Sequence, residues 1–487
     1  MFNNVSPESI GIESGKVLNF FKKLASRGLL MHSVIMSKGS NIFCEAYWKP
    51  FSEKSLHRMY STTKSYVGIA VCELAAEGKI DLDDKIIKYF PDKLPDTVHP
   101  FLEAQTIRHM LKMQTCMTNC NWFGQGVTDR LIHYFNSEPK KYPGTRYDYD
   151  SEGSFVLGAL VERVTGKTLI EYLRVKCLDK IGFSKEAHCL QAPGGHTWGD
   201  SGLLCTSRDQ LAFGRLVANG GKWNGEQLLD SKLISKAISK QTETSFYGSY
   251  SYNNLGYGYQ IWRCYDDAFA FYGMHDQLMI YHPKTDVIFV CTAGNILGVS
   301  RAIIIESFYD EIINNISDVV KNETAEYIEL KNYCENLELP FVRTEKNSDF
   351  ESEISGKKFI AESNSMGITE FTLNFNDDGG SFVYSNAQGN KEIKFGKQKN
   401  IIQEFPQSGY SKDVGGIKCE GNKYKCAASA GWVEDKKLSI VVQIIDNYIG
   451  SLNITIGFND EYALLDMRKN AEDFLNEYQG FAMAKKQ

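Results

Sequence analysis

The chain has 487 residues, of which 43% are hydrophobic and 23% are charged, so it can bury a substantial core and does not have the composition of a disordered protein. Its length predicts a catalytic-sized unit together with a smaller one. A formal net charge of −6 supplies no strong positive field for phosphate groups, and we therefore expect no nucleic-acid partner.

The N-terminal segment and the cysteines indicate the compartment. Residues 1–15 have no cationic start followed by an apolar stretch, so we expect no secretory signal. No apolar run approaches the roughly 18 residues that a membrane-spanning helix needs. The 12 cysteines are scattered along the sequence, as is typical of reduced thiols in the cytosol. These features predict a cytoplasmic protein with no membrane partner.

The first predicted elements are a β-hairpin and a buried helix. Two apolar runs at 32–36 and 42–48 flank a KGS turn, which is typical of two paired strands. Across 61–79, apolar residues recur at helical spacing, and Gly78 stands where a helix would end. Helical patterns then dominate the stretch 80–240, which is predicted to be mostly α-helical.

Antiparallel strands are predicted to return after the helical stretch. Short apolar runs bounded by turn residues predict strands at 256–263, 268–273, 277–282 and 287–292. A helix of about a dozen residues is predicted from Arg301. These elements favour a mixed fold with an antiparallel sheet, a helical insertion and a closing helix.

The C-terminal part of the chain has a different pattern. A charged stretch with few aromatic residues at 321–353 predicts a linker between one domain formed by 1–320 and a second formed by 354–487. In the second domain apolar residues alternate strictly with polar ones, for example at 452–458, which indicates half-buried strands. We predict a β-rich accessory domain with a short final helix at 467–478.

Ser61 and Lys64 form an S-x-x-K tetrad at the start of a predicted helix. Residues i and i+3 lie on one helical face, so the Lys64 amine can reach the Ser61 hydroxyl and serve as its base. A helix N-terminus also favours negative charge on a nucleophile placed there. Two further tetrads, at 137–140 and 355–358, lie in a predicted loop and at the start of a predicted strand. Ser61 is therefore the candidate nucleophile.

Several segments, taken in order, resemble one known superfamily. The segment YSTTKS at 60–65 and the helix after it, ending in EGKIDLDD at 77–84, resemble the serine β-lactamases and penicillin-binding proteins. More closely, the chain is similar to the class C β-lactamase-like esterases and the 6-aminohexanoate-dimer hydrolases. Further matching segments occur at 106–111, 143–151, 157–166, 199–203 and 219–221.

The resemblance covers roughly residues 5–315. It implies an α/β (α+β) fold of the β-lactamase/transpeptidase type, in which helices and a helical subdomain flank an antiparallel sheet. Some relatives carry a barrel-like β-domain at the C-terminus, which agrees with the alternating pattern found there.

The resemblance places a second catalytic motif, Tyr-x-Asn, at Tyr149-Asp150-Ser151. It implies that Tyr149 acts with Lys64 as a proton relay, since a phenol beside the nucleophile can pass the proton to the leaving group. The asparagine of the family is Ser151 here, whose hydroxyl can bind Lys64 or a substrate amide with a shorter reach.

The third motif of the family, a Lys/His-Thr-Gly strand, is missing. The matching segment contains Gly273 and Gln277 and resembles a Gly-x-x-Gly-Gln pattern in which Asp276 replaces the second glycine. The resemblance implies an oxyanion hole made by the backbone N–H groups of Met274 and Ser61. The lost cation is the usual anchor for a substrate carboxylate, which argues against efficient penicillin hydrolysis.

We therefore expect a serine hydrolase that cleaves a small-molecule ester or amide through an acyl-enzyme on Ser61. The alternatives on the same fold are a peptidase or amidase for D-amino acids and an acyltransferase. The alternative of another class is a non-catalytic ligand-binding or regulatory protein, which the joint presence of Ser61, Lys64 and Tyr149 disfavours. His275, next to the oxyanion segment, is predicted to be a pocket wall or a further catalytic group.

We expect no cofactor. We also expect no metal, because the Cys and His residues lack the spacing of a ligand set. The sequence is compatible with a homo-oligomer and gives no indication of its size.

Overall fold

The structure, a computed structural model, describes residues 2–118, 122, 126–296, 298–317, 319, 322–344, 348–410, 418–472 and 474–487. The chain divides into two compact units, the first running to Glu338 and the second beginning at Leu339. Most of the helical segments belong to the first unit, whereas the second consists mainly of strands.

The first unit is built on a sheet of seven strands among the described residues. These strands, and five shorter ones in the same unit, are β1 (Asn3–Asn4), β2 (Met31–Lys38), β3 (Asn41–Tyr47), β4 (His57–Arg58), β5 (His188–Cys189), β6 (Leu203–Cys205), β7 (Lys222–Trp223), β8 (Glu226–Gln227), β9 (Trp262–Arg263), β10 (Phe269–Gly273), β11 (Gln277–His282) and β12 (Val287–Ala293). The order in the sheet is β1-β3-β2-β12-β11-β10-β9. Neighbouring strands are antiparallel apart from the parallel pair β1 and β3.

Helices surround this sheet. They are α1 (Ser14–Ser26), α2 (Thr63–Ala76), α3 (Pro100–Glu103), α4 (Ile107–Leu111), α5 (Arg130–Asn136), α6 (Ser151–Thr165), α7 (Leu169–Leu173), α8 (Ser207–Ala218), α9 (Ser231–Ile238), α10 (Gly298–Glu311) and α11 (Ala325–Glu335). The stretch from α3 to α9 forms the helical insertion that the sequence predicts between the two groups of strands.

The central strands β2, β12 and β11 are buried along nearly their whole length, because helices cover both faces of the sheet. On one face, Phe289 of β12 lies 5.8 Å from Phe20 of α1 and 4.9 Å from Phe308 of α10, measured between ring centroids. On the other face, Met279 of β11 lies against α8, where a Cβ added to Gly214 would come within 2.8 Å of the Met279 Sδ. This two-sided burial explains the continuous apolar runs in the sequence.

Helix α2 is buried along most of its length. Its Tyr66 stacks on Phe213 of α8, with 3.9 Å between ring centroids. Gly68 allows a close approach of the Tyr259 backbone, since a Cβ at position 68 would lie 2.5 Å from the Tyr259 carbonyl oxygen. These contacts fix the position of the helix that begins two residues after Ser61.

Helix α6 begins directly after Asp150, which caps it. Asp150 Oδ1 accepts a hydrogen bond from the Gly153 N–H at 3.0 Å, and Thr115 Oγ1 donates to Asp150 Oδ2 at 2.6 Å. At Gly158 the helix closely approaches another segment, since a Cβ at position 158 would lie 3.1 Å from the Gly199 Cα.

The predicted hairpin at 31–48, the helix at 61–79 and the closing helix from Arg301 are confirmed as β2 and β3, α2 and α10. The strands predicted at 268–292 correspond to β10, β11 and β12. The segment 321–353, predicted as a linker, contains α11 and the larger part of α12 (Phe350–Ile354).

The strand predicted at 256–263 is wrong except for β9. Gly256 and Gln260 have positive φ angles of 111° and 61°, which an extended strand does not allow. The Gln260 amide instead donates to the carbonyl oxygens of Met110 and Leu111 at 3.0 and 3.2 Å, and these bonds hold the loop against α4. A buried polar side chain therefore replaces the backbone pairing that the apolar pattern predicts.

The second unit contains a closed β-barrel. Its strands are β13 (Lys358–Ala361), β14 (Glu370–Asn376), β15 (Gly379–Asn386), β16 (Gly389–Lys397), β17 (Ile401–Tyr410), β18 (Lys418–Glu434), β19 (Lys437–Ile445), β20 (Ile449–Phe458), β21 (Tyr462–Asn470) and β22 (Gly480–Lys486). In the order β16-β15-β14-β13-β22-β21-β20-β19-β18, nine described strands form a ring that a parallel pairing of Gly396 with Ser429 closes. β17 pairs with β18 beside this junction. The predicted β-rich C-terminal domain is confirmed.

Strand β21 shows how the alternating pattern folds. Ala463, Leu465 and Met467 are buried, while Leu464 and Arg468 are exposed and Asp466 is half-buried. The short helix predicted at 467–478 is wrong, because β21 continues to Asn470 and Met467 pairs with Gly480 of β22.

We predict that Gly158→Val lowers the free energy of unfolding by about 1–3 kcal/mol, because the added side chain must displace either α6 or the backbone at Gly199. Urea unfolding followed by circular dichroism measures the change. Gly457→Val is the matched control, since a Cβ at Gly457 meets no heavy atom within 4 Å among the described residues. The control should cost less than about 0.5 kcal/mol, and equal effects of the two substitutions would contradict the close packing.

Candidate active site

Ser61 and Lys64 lie together as the tetrad spacing predicts. Ser61 belongs to a short 3-10 turn, Tyr60–Thr62, and Lys64 to the first turn of α2. The Lys64 Nζ lies 3.0 Å from the Ser61 Oγ. Lys64 is buried, with 1% of its surface exposed, whereas Ser61 is half-buried. The hydroxyl is therefore open to a ligand while the amine beneath it is shielded from water.

The other two tetrads are engaged elsewhere. The Ser137 hydroxyl donates to the carbonyl oxygen of His133 at 2.7 Å, at the end of α5. Lys358 lies on β13 and its Nζ bonds the Glu370 carboxylate of the neighbouring strand at 3.0 Å. Ser61 therefore remains the candidate nucleophile among the three tetrads.

The buried Lys64 amine has two further partners. Its Nζ donates to the carbonyl oxygen of Asp200 at 2.8 Å and lies 5.0 Å from the ring centroid of Tyr149. An amine that is removed from water needs such partners, because the loss of hydration is costly. The structure thus brings Tyr149 next to the Ser61–Lys64 pair.

A buried ion network fixes Asp200. Arg130 Nη1 donates to Asp200 Oδ1 at 2.7 Å, and Arg130 Nε and Nη2 each donate to the Glu152 carboxylate at 2.8 Å. The Arg130 side chain is fully buried, and its guanidinium lies 4.3 Å from the ring centroid of Phe155. The network ties α5 and α6 to the carbonyl group that binds Lys64.

Tyr149 belongs to an aromatic wall formed by Tyr147, Tyr149, Tyr257, Trp262 and Tyr272. Tyr149 stacks on Trp262, with 5.8 Å between ring centroids and 21° between the ring planes. Trp262 in turn lies edge-on to Tyr257 at 4.9 Å and 5.9 Å from Tyr272. Four of these rings are buried, and together they fix the half-buried Tyr149 ring beside Lys64.

Ser151 takes the position of the asparagine in the second motif. It is the first residue of α6 and is half-buried. Within the part of the chain that the structure describes, its hydroxyl makes no hydrogen bond to Lys64, which is bound instead by the Asp200 carbonyl.

Gly273 ends β10 directly against the turn that carries Ser61. A Cβ at position 273 would lie 2.3 Å from the Met59 carbonyl oxygen and 3.2 Å from the Thr62 Cγ2. A side chain cannot be accommodated there, so the glycine is what allows the strand to approach. The peptide unit that joins Gly273 to Met274 therefore lies beside the candidate nucleophile.

His275 and Gln277 lie behind this peptide unit and are buried. The His275 Nδ1 lies 2.9 Å from the Asn295 carbonyl oxygen, and burial lowers the pKa of His275 to about 4, so that its imidazole is neutral at pH 7. The Gln277 amide donates to the carbonyl oxygens of Met274 and Ala293 at 3.0 and 2.8 Å. Gln277 thus connects the end of β10 to β12.

Sequence reasoning missed the partners that are distant in the chain. Asp200 contributes a backbone carbonyl, for which no residue pattern is required, and Arg130 acts only through Asp200. Arg301 was found only as a helix start, yet its Nη2 donates to the Gly273 carbonyl oxygen at 2.6 Å. Trp262 lies in a segment that the sequence predicts as a strand, and its stacking on Tyr149 depends on the tertiary structure.

The described residues include no group of three or more His, Cys, Asp and Glu side chains that could hold a metal ion. Among the helices of the described residues, none combines the length and the apolar character needed to cross a membrane.

Comparison with known proteins identifies a family match over more than half of the chain. A family model described as Beta-lactamase matches residues 22–293. The 6-aminohexanoate-dimer hydrolase of Paenarthrobacter ureafaciens is 24% identical over 280 residues, which are 53% of this chain and 70% of that protein. Esterase EstB of Burkholderia gladioli is 32% identical over 139 residues, which are 25% of this chain and 35% of the esterase.

Solved structures share the fold. A putative 6-aminohexanoate-dimer hydrolase from Bacillus anthracis superimposes with a TM-score of 0.51 at 18% identity, over 64% of this chain and 86% of that one. At this identity the likeness concerns the fold alone.

We predict that Arg130→Met lowers the free energy of unfolding by about 3–5 kcal/mol, because it leaves the Glu152 and Asp200 carboxylates buried without their cation. Urea unfolding measures the loss. Arg163→Met, which breaks an exposed pair with Asp92, is the matched control and should cost less than about 1 kcal/mol. The assigned role of the network would be wrong if the two variants were equally stable.

Proposed function

Because this chain belongs to the beta-lactamase family, we propose that it is a serine hydrolase that cleaves an ester or amide bond through an acyl-enzyme on Ser61. One observation carries the proposal, the 3.0 Å separation of the Lys64 Nζ from the Ser61 Oγ at the start of a buried helix. A hydroxyl needs an adjacent base to become a nucleophile, and this amine is correctly placed to be one.

The proposed reaction begins when the neutral Lys64 amine accepts the Ser61 proton as Oγ attacks the substrate carbonyl. The negative charge that develops on the carbonyl oxygen is stabilised by the N–H groups of Ser61 and Met274. Tyr149 then gives its phenolic proton to the leaving group and takes the proton held by Lys64, so that the leaving group departs protonated and Ser61 is acylated. Water next attacks the acyl-enzyme, its proton passes through the same relay to the Ser61 Oγ, and the carboxylic acid is released. The Asp200 carbonyl holds Lys64 in place throughout.

We propose short neutral esters as the substrates that this site processes best. A carboxylate on the substrate would need a free cation near Gly273, but the His275 imidazole is neutral at pH 7 because its pKa is about 4. Arg263 donates to the carbonyl oxygens of Ile238 and Asp267 at 2.6 and 2.8 Å and is thereby engaged. The aromatic wall offers apolar contacts that a neutral acyl or alcohol group can use.

We assign the C-terminal domain that contains strands β13 to β22 an accessory role in stability, assembly or substrate access. The lysine of its S-x-x-K tetrad, Lys358, bonds the Glu370 carboxylate. The proposed chemistry thus belongs to the first unit.

We predict that Ser61→Ala reduces the turnover of p-nitrophenyl butyrate at least a thousandfold, since residues of a nucleophile–base unit are each indispensable. Ser137→Ala is the matched control, because it removes the serine of another tetrad, and it should keep full activity. Mass spectrometry after treatment with a fluorophosphonate should find the label on Ser61. Activity of Ser61→Ala within about tenfold of the parent, equivalent to about 1.4 kcal/mol, would place the nucleophile elsewhere.

Tyr149→Phe tests the proton relay separately from packing. It retains the ring that faces Lys64 and stacks on Trp262, and it removes only the hydroxyl. We expect kcat to fall about 100- to 10,000-fold, and the double variant with Lys64→Ala to be little worse than the more damaging single variant. Tyr247→Phe, with a ring 6.5 Å from Trp262, is the control. Multiplicative effects of the two single variants would argue against a shared relay.

Substrate charge provides a further prediction. A site that lacks a charge-assisted hydrogen bond to a carboxylate forgoes about 1.5–3 kcal/mol, or about ten- to a hundredfold in binding. We therefore expect kcat/KM for p-nitrophenyl butyrate to exceed that for p-nitrophenyl hemisuccinate, which is similar in size and anionic, and that for nitrocefin. Faster turnover of the two anionic substrates would reveal a free cation in the cleft.

A further inference from the structure

Arg301 of helix α10 forms a hydrogen bond to the peptide unit between Gly273 and Met274. Arg301 Nη2 donates to the Gly273 carbonyl oxygen at 2.6 Å, and Arg301 Nε lies 3.3 Å from Asp276 Oδ1. The hydroxyl of Ser300 bonds the other oxygen of the Asp276 carboxylate. The Arg301 guanidinium thereby bonds both the end of β10 and the turn that follows this strand.

This turn has an unusual backbone. His275 and Asp276 have φ angles of 60° and 65°, in the left-handed region that favours glycine. Such conformations persist where surrounding contacts hold them, and they are frequent at functional sites. Asp276 stands where the resembling pattern has glycine, and its carboxylate supplies the contacts to Ser300 and Arg301 that compensate for the backbone strain.

The carbonyl group that Arg301 binds and the N–H of Met274 belong to the same planar peptide unit. In a trans peptide these two groups point in opposite directions, so a cation on the carbonyl side leaves the N–H facing away from α10. A charged donor on the carbonyl oxygen also draws electron density from the peptide and strengthens its N–H as a donor.

We propose that Arg301 is a positioning residue of the oxyanion hole, which orients and polarises the Gly273–Met274 peptide for the transition state. The inference rests on the proposed function, because it assumes that the Met274 N–H binds the substrate oxyanion. Arg301 itself contacts no substrate. Its guanidinium is engaged by Gly273 and Asp276 and lies 5.1 Å from the ring centroid of Tyr272, which distinguishes it from an anchor for a substrate carboxylate.

The test is a double variant, Arg301→Met with Asp276→Asn, which removes the clamp without leaving the buried Asp276 carboxylate unpaired. The matched control is Arg208→Met with Glu45→Gln, which deletes an Arg–Glu pair of bidentate geometry elsewhere in the first unit. Arg301→Lys is the conservative variant that keeps a cation near the carbonyl. For each protein we would measure kcat and KM for p-nitrophenyl butyrate, the thermal midpoint, and the affinity for phenylboronic acid, which forms a tetrahedral adduct on a catalytic serine.

For the double variant we expect kcat to fall about 10- to 100-fold with KM within about threefold, since an oxyanion donor acts mainly in the transition state. The affinity for the boronic acid should fall by the same factor as kcat. Arg301→Lys should recover part of both losses, and the Arg208 control should match the parent.

Several results would overturn the inference. A role at the oxyanion hole would be excluded by an unchanged kcat in a folded double variant, or by a rise in KM with kcat unchanged. It would also be excluded by a fall in kcat without a matching fall in the affinity for the boronic acid. A rise in KM for p-nitrophenyl hemisuccinate alone would make Arg301 a substrate anchor instead. If the parent neither hydrolyses the ester nor is labelled by a fluorophosphonate at Ser61, the proposed function fails and the inference falls with it, whereas an active parent with an equally active double variant refutes the inference alone.

Discussion

The first unit depends on the burial of one amine, that of Lys64, beneath the Ser61 hydroxyl. Taking an amine out of water is costly unless other groups replace its hydration. Here the Ser61 hydroxyl, the Asp200 carbonyl and the Tyr149 ring do so. These partners come from separate parts of the chain. Lys64 can therefore be buried on α2 only when the segments around Tyr149 and Asp200 are packed against this helix. A buried cation, Arg130, fixes Asp200 and extends the same requirement to α5 and α6.

The opposite side of the site depends on a close approach of two backbones. Gly273 permits β10 to end against the Ser61 turn, and the following residues adopt left-handed conformations that α10 and Asn295 stabilise. Local preference and tertiary structure disagree at this point, as is usual where a site must present backbone N–H groups in a fixed direction. The sheet and its covering helices provide the rigid support that such a turn needs.

The structure of the second unit depends on the closure of its sheet. An open sheet of this length would expose unpaired edges, and the pairing of Gly396 with Ser429 closes it into a ring. Alternating residues of its strands are buried, as in β20, where Leu452, Ile454 and Ile456 face inward. The barrel thus has its own apolar core, and the chemistry assigned to the chain lies in residues of the other unit.

The sequence by itself determined those features that depend on local spacing. The 3.6-residue period places Ser61 and Lys64 on one face, and the two-residue period predicts the strands of the barrel, because both patterns are set by backbone geometry within a few residues. The same reasoning failed at 256–263 and 467–478. In the first segment a buried glutamine, Gln260, binds the backbone of α4, and in the second the pairing of β21 with β22 continues the strand.

Only the tertiary structure decided which distant groups surround the nucleophile. The Asp200 carbonyl has no sequence signature, since every residue has a carbonyl group. Arg130 and Arg301 are common surface residues by type, and their contacts with Asp200 and Gly273 follow from how helices α5 and α10 pack. Charge and hydrogen bonding act through space over a few ångströms, whereas sequence patterns report neighbours along the chain. The Ser61–Lys64 pair of the proposed chemistry can therefore be predicted from the sequence, whereas the network that orients this pair cannot.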